Sequence, residues 1–391
     1  MTPSGVSKSP LCAFNCPHTT CDIIHVIRSF LVQQYAVALP NWMSILGSPG
    51  QCPLSKLITA VQKYDWSMCS FQEFLLDDRP LVSVIIPTYD RPTFLQNTVE
   101  SVMQQTYDNL EIVVVDDHST PPAESTLDNL SYNQYKGDVV TIRHDQNRGV
   151  CAARNSGIEA ASGQLIALLD DDDYWLEDKI EKQVEAFKNS SPKTGVIYTN
   201  TKITDDNGKV TGARSFTASG DLTKRLLRRN FATVSTLLVH SEAIENSGGF
   251  DQKLPNWEDW EWCIRLSEKA RFEVVPEPLV VIQKGDHDKR SDSFERKRDR
   301  GLDLFLEAIG PIASEYGYWF ERSVQGWVRY QIGTGALRRG YFSDARGLLL
   351  RAIYFWPAQW RFYFYLFAGF GGRWLYSIGK FLKRKSRMDI N

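Results

Sequence analysis

GQLIALLDDDDYW, residues 163–175, runs five apolar side chains (Leu165, Ile166, Ala167, Leu168, Leu169) directly into four acids, Asp170, Asp171, Asp172 and Asp173, and then two aromatics. An apolar run of this length between a glycine and a cluster of charge reads as a strand buried on both faces, as in a parallel sheet covered by helices. The acids then stand where that strand leaves the sheet. Two carboxylates about 4 Å apart repel by roughly 4 kcal/mol at an effective dielectric constant of about 20. Four in succession point to a cation, and hard oxygen ligands favour Mn2+ or Mg2+. The alternative is a solvated acidic turn in which Asp173 caps a helix starting near Leu176. A surface turn needs no buried strand leading into it, which favours the cation.

Upstream, residues 81–86 (LVSVII) form a second apolar run, ended by Pro87, and residues 110–115 (LEIVVV) a third. Between them Phe94, Leu95, Val99, Val102 and Met103 fall on one helical face. Strand, helix and strand at this spacing make a βαβ unit, whose right-handed crossover lays the two strands side by side and parallel. Polar chemistry follows both: Pro87-Thr88-Tyr89-Asp90-Arg91 after the first, Asp116-Asp117-His118-Ser119 after the second. Ligands of open parallel sheets bind beyond the carboxyl ends of the strands, so a ligand is expected there. A third strand over 139–142, a helix over 150–161, the opening strand, a helix over 176–188 and a strand over 195–199 continue the α/β alternation. The three-glycine dinucleotide loop and the Lys-Ser/Thr phosphate loop are both missing after Ile86, which leaves metal carboxylates as the candidate phosphate holders.

The 391 residues carry a formal net charge of −2, which argues against a general nucleic-acid partner. Seven scattered cysteines fit a reducing compartment better than a disulfide framework. Cys12, Cys16 and Cys21 with His18 and His25 match no common tetrahedral zinc spacing. Residues 1–78 read as a small helical extension without evident chemistry. The first dozen residues do not resemble a secretory signal. The nearest approach to a membrane span, residues 352–370, is interrupted by Pro357, Gln359 and Arg361.

Six ordered motifs, VSVIIPTYDRP, EIVVVDDHST, NRGVCAARNSG, GQLIALLDDDDYW, STLLVHSEAIENSGGFD and NWEDWEWCIRL, together resemble the family 2 glycosyltransferases of the GT-A fold, inverting enzymes that use nucleotide sugars. The resemblance covers residues 81–292. It implies a Rossmann-like, mostly parallel central sheet flanked by helices. It also implies that Pro87, Thr88, Tyr89, Arg91, Asp116, Asp117, Asn147, Gly149, Arg154 and Asn155 line the donor pocket, with Asp170 and Asp171 facing the nucleotide sugar. Asp172 would bind Mn2+ or Mg2+ on the diphosphate, where the cation neutralises the departing group. Asp259, beside Glu258 at the head of a helix, would be the general base that takes the acceptor hydroxyl proton in a single in-line displacement. Trp257, Trp260 and Gly249 would face the acceptor, although core packing is as good a reading for any one tryptophan. His287 and Arg290, in the basic loop 287–293, would reach the metal and the diphosphate. His118 departs from the family's usual pattern, which mostly has Gly there; His is among the non-Gly residues enriched at positive φ, so the turn is compatible.

The implied donor is a nucleotide sugar, UDP-linked by preference, and the acceptor a glycan or a lipid-linked glycan. Neither the Gln-Arg-Trp signature of processive synthases nor multiple spans is found, so one sugar per encounter is expected. A non-catalytic nucleotide-sugar-binding or scaffold protein of the same fold is the alternative. The domains expected are 1–78, a GT-A domain over 79–300, a helical region over 301–357 whose residues 330–357 resemble one tetratricopeptide-type helix pair, and a tail over 358–391. That tail joins aromatics to Lys380, Lys383, Arg384, Lys385 and Arg387, the composition of an interfacial anchor. Core packing of the aromatics is the rival reading. The location implied is cytoplasmic, peripheral on the inner face of the cytoplasmic membrane.

Overall fold

The computed structural model describes residues 79–128, 130, 135–231, 233–284 and 300–371, all within one compact unit spanning Ser70–Asn391. The expectations for residues 1–78, for His287 and Arg290, and for the basic residues beyond 371 lie outside the described residues.

The chain runs β1 (Val82–Thr88), α1 (Pro92–Met103), β2 (Leu110–Asp116), α2 (Ala123–Leu127), β3 (Val139–Arg143), α3 (Val150–Ala160) and β4 (Leu165–Leu168). It continues through β5 (Asp173–Trp175), α4 (Lys179–Lys188), β6 (Thr194–Thr204), β7 (Val210–Arg214), α5 (Thr223–Leu226), β8 (Leu237–His240), α6 (Ser241–Ser247), α7 (Glu258–Lys269) and β9 (Arg271–Gln283). Four helices close the described chain: α8 (Leu302–Ser314), α9 (Tyr318–Arg339), α10 (Phe342–Phe355) and α11 (Trp360–Phe370).

One sheet carries the order β3-β2-β1-β4-β8-β6-β9-β5, with β7 paired to β6. Strands β3, β2, β1 and β4 are parallel to one another, and β6 and β9 are parallel. Strand β8 runs antiparallel between β4 and β6. The mostly parallel α/β sheet and the β1-α1-β2 unit are as the sequence implies. Strands β1, β2 and β4 are buried along their whole length, and their side chains alternate between two cores. Ile85, Val113, Val115, Ile166 and Leu168 enter one; Val82, Val84, Ile86, Ile112 and Val114 enter the other. This is the period-two division expected of a sheet covered on both faces.

The expectations around the acidic turn need two corrections. Asp173 opens β5, which pairs antiparallel with β9, and caps no helix. The helix after it starts at Lys179 rather than near Leu176, with Asp178 at the cap position. Leu176 is instead bound to β9, its N–H donating to the Leu279 carbonyl at 2.9 Å.

The C-terminal helices continue the first core. Phe305 of α8 is fully buried and lies 4.6 Å from the Trp260 ring and 5.6 Å from that of Trp257. Arg228 donates through Nη2 to Ser323 Oγ of α9 at 2.8 Å. Among the described residues no helix is long and apolar enough to cross a membrane.

Candidate active site

Strand register brings the polar chemistry together. Thr88 pairs with Asp116 at the carboxyl ends of β1 and β2, and Ile85 with Leu168 on the other side, so three parallel strands present their ends to one region. Pro87 costs the sheet no hydrogen bond there. The Ile85 carbonyl accepts from Leu169 N at 3.0 Å, and residues alternate sides, so the N–H that Pro87 lacks would have pointed toward β4 after β4 has turned away.

The acidic turn is held from three sides. Thr98 Oγ1 of α1 lies within hydrogen-bond distance of the carbonyl oxygens of Asp171 (2.9 Å) and Asp173 (2.8 Å). Ser235, in a short turn before β8, donates to Asp173 Oδ2 at 2.6 Å and accepts from Asp170 N at 3.3 Å. Thr88 Oγ1 donates to Asp171 Oδ2 at 2.8 Å. Arg91 bridges two acids through Nη1, at 3.0 Å from Asp171 Oδ1 and 2.7 Å from Asp172 Oδ2. Burial pushes the Asp171 carboxyl up to about 6; the Arg91 charge opposes this and the Asp172 charge adds to it.

Asp116 and Asp117 are both buried and bonded within the chain. Asp116 accepts from the N–H groups of Ser119 (2.7 Å) and Ala123 (3.0 Å) and from Arg143 Nη1. Burial alone would raise its pKa, but these bonds and the Arg143 charge hold it below the usual carboxylate range. Asp117 accepts from Arg148 N (2.8 Å) and Gly149 N (2.7 Å), and its Oδ1 is 2.7 Å from His144 Nδ1. Both carboxylates are therefore tied into the loops that follow β2 and β3, while Tyr89 and Asn147 are exposed. His118 has φ 77°, the positive value that the family's Gly would supply. Asp90 (φ 53°) and Trp257 (φ 62°) share this left-handed conformation, so all three such non-Gly residues among those described stand in the loops around this site. Gly149 (φ 88°) begins α3 with the same freedom.

Arg154 joins the two halves. Its buried guanidinium places Nη2 2.7 Å from Asp170 Oδ1 and Nη1 3.1 Å from Glu258 Oε1, and it lies 5.1 Å from the Phe250 ring centroid. Its buried Nε has no hydrogen-bond partner. Asp259, next to Glu258 in the first turn of α7, accepts from the Trp260 N–H at 2.7 Å. Burial, then the adjacent Glu258 charge, pushes the Asp259 carboxyl up to about 6, against the opposing charge of Arg154.

Two expected acceptor residues have other work. Trp260 is buried, its Nε1 donating to the Leu226 carbonyl at 2.7 Å, so its ring belongs to the core and offers no stacking face. Gly249 lies where an added Cβ would stand 2.5 Å from Asn155 Oδ1. Asn155 and Phe250 bond reciprocally there, Nδ2 to the carbonyl at 2.9 Å and N–H to Oδ1 at 2.8 Å. Gly249 thus permits helix α3 and the loop before α7 to touch. Trp257 is partly buried and packs against the same core. Thr98, Arg143, His144 and Ser235 were not anticipated. Arg143 and His144 directly follow an expected strand, which is a positional signal; Thr98 and Ser235 carry none.

Among the described residues no three His, Cys, Asp or Glu side chains gather as a metal cage. The donor set still suits Mg2+ or Mn2+: a carboxylate at a strand exit, Asp172, is the kind of ligand these ions take when diphosphate and water supply the remaining oxygens.

A mostly parallel sheet with acids at the ends of three adjacent strands, tied by an arginine to a helix bearing a second carboxylate pair, defines an α/β protein of the GT-A architecture. Residues 83–244 match the family described as Glycosyl transferase family 2. TuaG of Bacillus subtilis, a putative teichuronic acid biosynthesis glycosyltransferase, is 38% identical over 107 residues, covering 27% of this chain and 42% of that protein. An uncharacterized glycosyltransferase of Rickettsia felis is 32% identical over 196 residues, covering 49% of this chain and 32% of that one. The chain spans less than half the length of either relative. The crystal structure of residues 1–349 of S. aureus TarS shares the fold, with a TM-score of 0.53 at 18% identity over 71% of this chain and 81% of that chain.

Proposed function

We propose that this protein is an inverting glycosyltransferase of hexosyltransferase type. It moves one sugar per encounter from a nucleoside diphosphate donor, UDP-linked by the family resemblance, to a glycan or lipid-linked acceptor in glycoconjugate synthesis. The observation that carries the reading is Arg154, 2.7 Å from Asp170 and 3.1 Å from Glu258: it sets the donor-side acids and the carboxylate pair of α7 in one site. Asp259 takes the proton of the acceptor hydroxyl as that oxygen bonds to the anomeric carbon and the bond to the diphosphate breaks. A carboxyl near 6 is mostly ionised at neutral pH and remains basic enough to hold the proton. Asp172, with His287, would hold Mg2+ or Mn2+, which when bound neutralises charge on the departing diphosphate. Thr88 and Arg91 fix the turn that carries Asp171 and Asp172, and Tyr89, Asn147 and Gly149 border the donor. A peripheral position at the inner face of the cytoplasmic membrane belongs to the same reading.

The test is release of nucleoside diphosphate from a panel of nucleotide sugars by the purified chain with Mn2+ or Mg2+, with and without candidate acceptors. Asp259→Asn is expected to bind donor normally and lose transfer. Full transfer by that variant would remove Asp259 as the base, and donor binding without turnover by the unsubstituted chain across a broad acceptor set would leave a binding protein.

A further inference from the structure

Helix α11 has two faces of opposite character. Phe362 is fully buried, stacked at 4.9 Å on Tyr330 of α9 and edge-on at 5.3 Å to Trp327, and Tyr365 packs 5.4 Å from Tyr330. These contacts hold the helix to the protein. On the other face Trp360, Tyr363, Phe364, Phe367 and Phe370 are 46–68% exposed. At about 100° per residue their spacing places all five within an arc of roughly 120°. A contiguous exposed aromatic face of this kind marks an interaction surface, unlike apolar residues scattered singly.

Charge identifies the occupant. Residues 357–391 contain seven Lys and Arg and one acid, Asp389, in a chain whose formal net charge is −2. Pairing this face with its copy would bring two such basic segments together, at a repulsive cost. An anionic lipid surface supplies the opposite charge, and Trp, Tyr and Phe are the side chains that settle at the boundary between headgroups and acyl chains. Eleven residues make a helix about 16 Å long against a hydrocarbon core of about 30 Å, so α11 can lie on a bilayer but not cross it.

We propose that the exposed face of α11 is the seat of this protein on an anionic bilayer, its five rings in the headgroup region, with the positive charge of the sequence beyond it favouring anionic lipid. This deepens the reading of a transferase serving an acceptor at the membrane and rests on it for its purpose, but its test requires no turnover.

The full chain is floated with vesicles of phosphatidylglycerol and phosphatidylethanolamine, and separately with phosphatidylcholine alone. Binding is expected only to the anionic vesicles and is weakened by high salt. The exposed-face variant Phe364→Gln/Phe367→Gln/Phe370→Gln is expected to lose about tenfold or more of this affinity, with thermal unfolding and nucleoside diphosphate release in free solution unchanged. Replacing Lys383, Arg384, Lys385 and Arg387 with Gln is expected to abolish the preference for anionic lipid. Equal flotation of intact and exposed-face variant chains overturns the proposal, as does failure of the intact chain to float. A dimer by light scattering that the substitutions dissolve, with flotation unchanged, assigns the face to a second copy instead.

Discussion

Arg154 Nη1 lies 3.1 Å from Glu258 Oε1 across 104 residues of sequence, and this pair fastens the helix that follows β3 to the helix that carries Asp259. The guanidinium is buried and its other arm holds Asp170, so removing it strands two carboxylates at once. Breaking a buried pair by deleting one partner costs about 3–5 kcal/mol because the remaining charge keeps its burial without its partner. Arg154→Met is expected to lose stability on that scale in urea denaturation and to lose transfer. Arg154→Lys, which keeps the charge but cannot bridge both acids in a planar fork, should recover much of the stability and little of the activity. Equal activity in the Lys variant would reduce Arg154 to a source of charge.

With Asp259 as the proposed base, its titration should set the acid side of the pH profile. Burial and the Glu258 charge raise its pKa to about 6 from an ordinary 3.8. Below about pH 6 it is protonated and cannot accept the hydroxyl proton, so kcat/KM should fall with decreasing pH through that value. Asp259→Asn should lower kcat by about 10²–10⁴-fold with donor affinity kept. Glu258→Gln removes the like charge, and the acid limb should move to lower pH. For stability the sign is opposite. Between 3.8 and about 6 the folded state binds more protons at this site than the unfolded state, so this group's contribution falls as pH rises through that window. An acid limb that stays in place in Glu258→Gln would separate the raised pKa from its assigned neighbour.

Gly249 is a packing requirement at the join between the two halves of the site. A Cβ there would stand 2.5 Å from Asn155 Oδ1, and that oxygen accepts from Phe250 N, so it cannot withdraw without giving up the bond. Gly249→Ala is expected to cost about 1–3 kcal/mol, measured as a lowered unfolding midpoint. Asn155→Ala in the same background should relieve the clash, so the two effects should not add. Strict additivity would show that the contact is not the cause.

The parallel half of the sheet is legible because buried strands leave uninterrupted apolar runs, as in residues 110–115 and 165–169. Strand β9 is not, since Pro276 and Pro278 interrupt its pattern. The structure admits them where the pairing with β6 shifts register near Asn200, whose Nδ2 donates to the Pro276 carbonyl at 2.8 Å. At the site, acids are visible as letters but their partners are not. Asp116 and Asp117 read alike in sequence; one is held by Arg143 and the other by His144, contacts set by β3 lying beside β2. Trp260 illustrates a different limit, because a ring for a sugar and a ring for the core are the same residue type, and distant partners, the Leu226 carbonyl and the Phe305 ring, decide between them.

Lys179 offers a test of the fold independent of catalysis. It is fully buried, with Nζ 2.6 Å from Gln183 Oε1 and 3.8 Å from the centroid of the Trp175 ring. Among the described residues no carboxylate pairs with it. Burial therefore holds its pKa well below the ordinary 10.5. The unfolded chain binds this proton more readily over the window below 10.5, so the contribution of Lys179 to stability rises with pH there, by about 1.4 kcal/mol for each pH unit of the window. Lys179→Met keeps the length and the helix propensity and removes the titration. Its unfolding free energy should vary less with pH than that of the unsubstituted chain, with the largest gain in stability at the acid end of the window. Parallel pH curves for the two proteins would show that Lys179 is solvated, contrary to its place between Trp175 and Gln183.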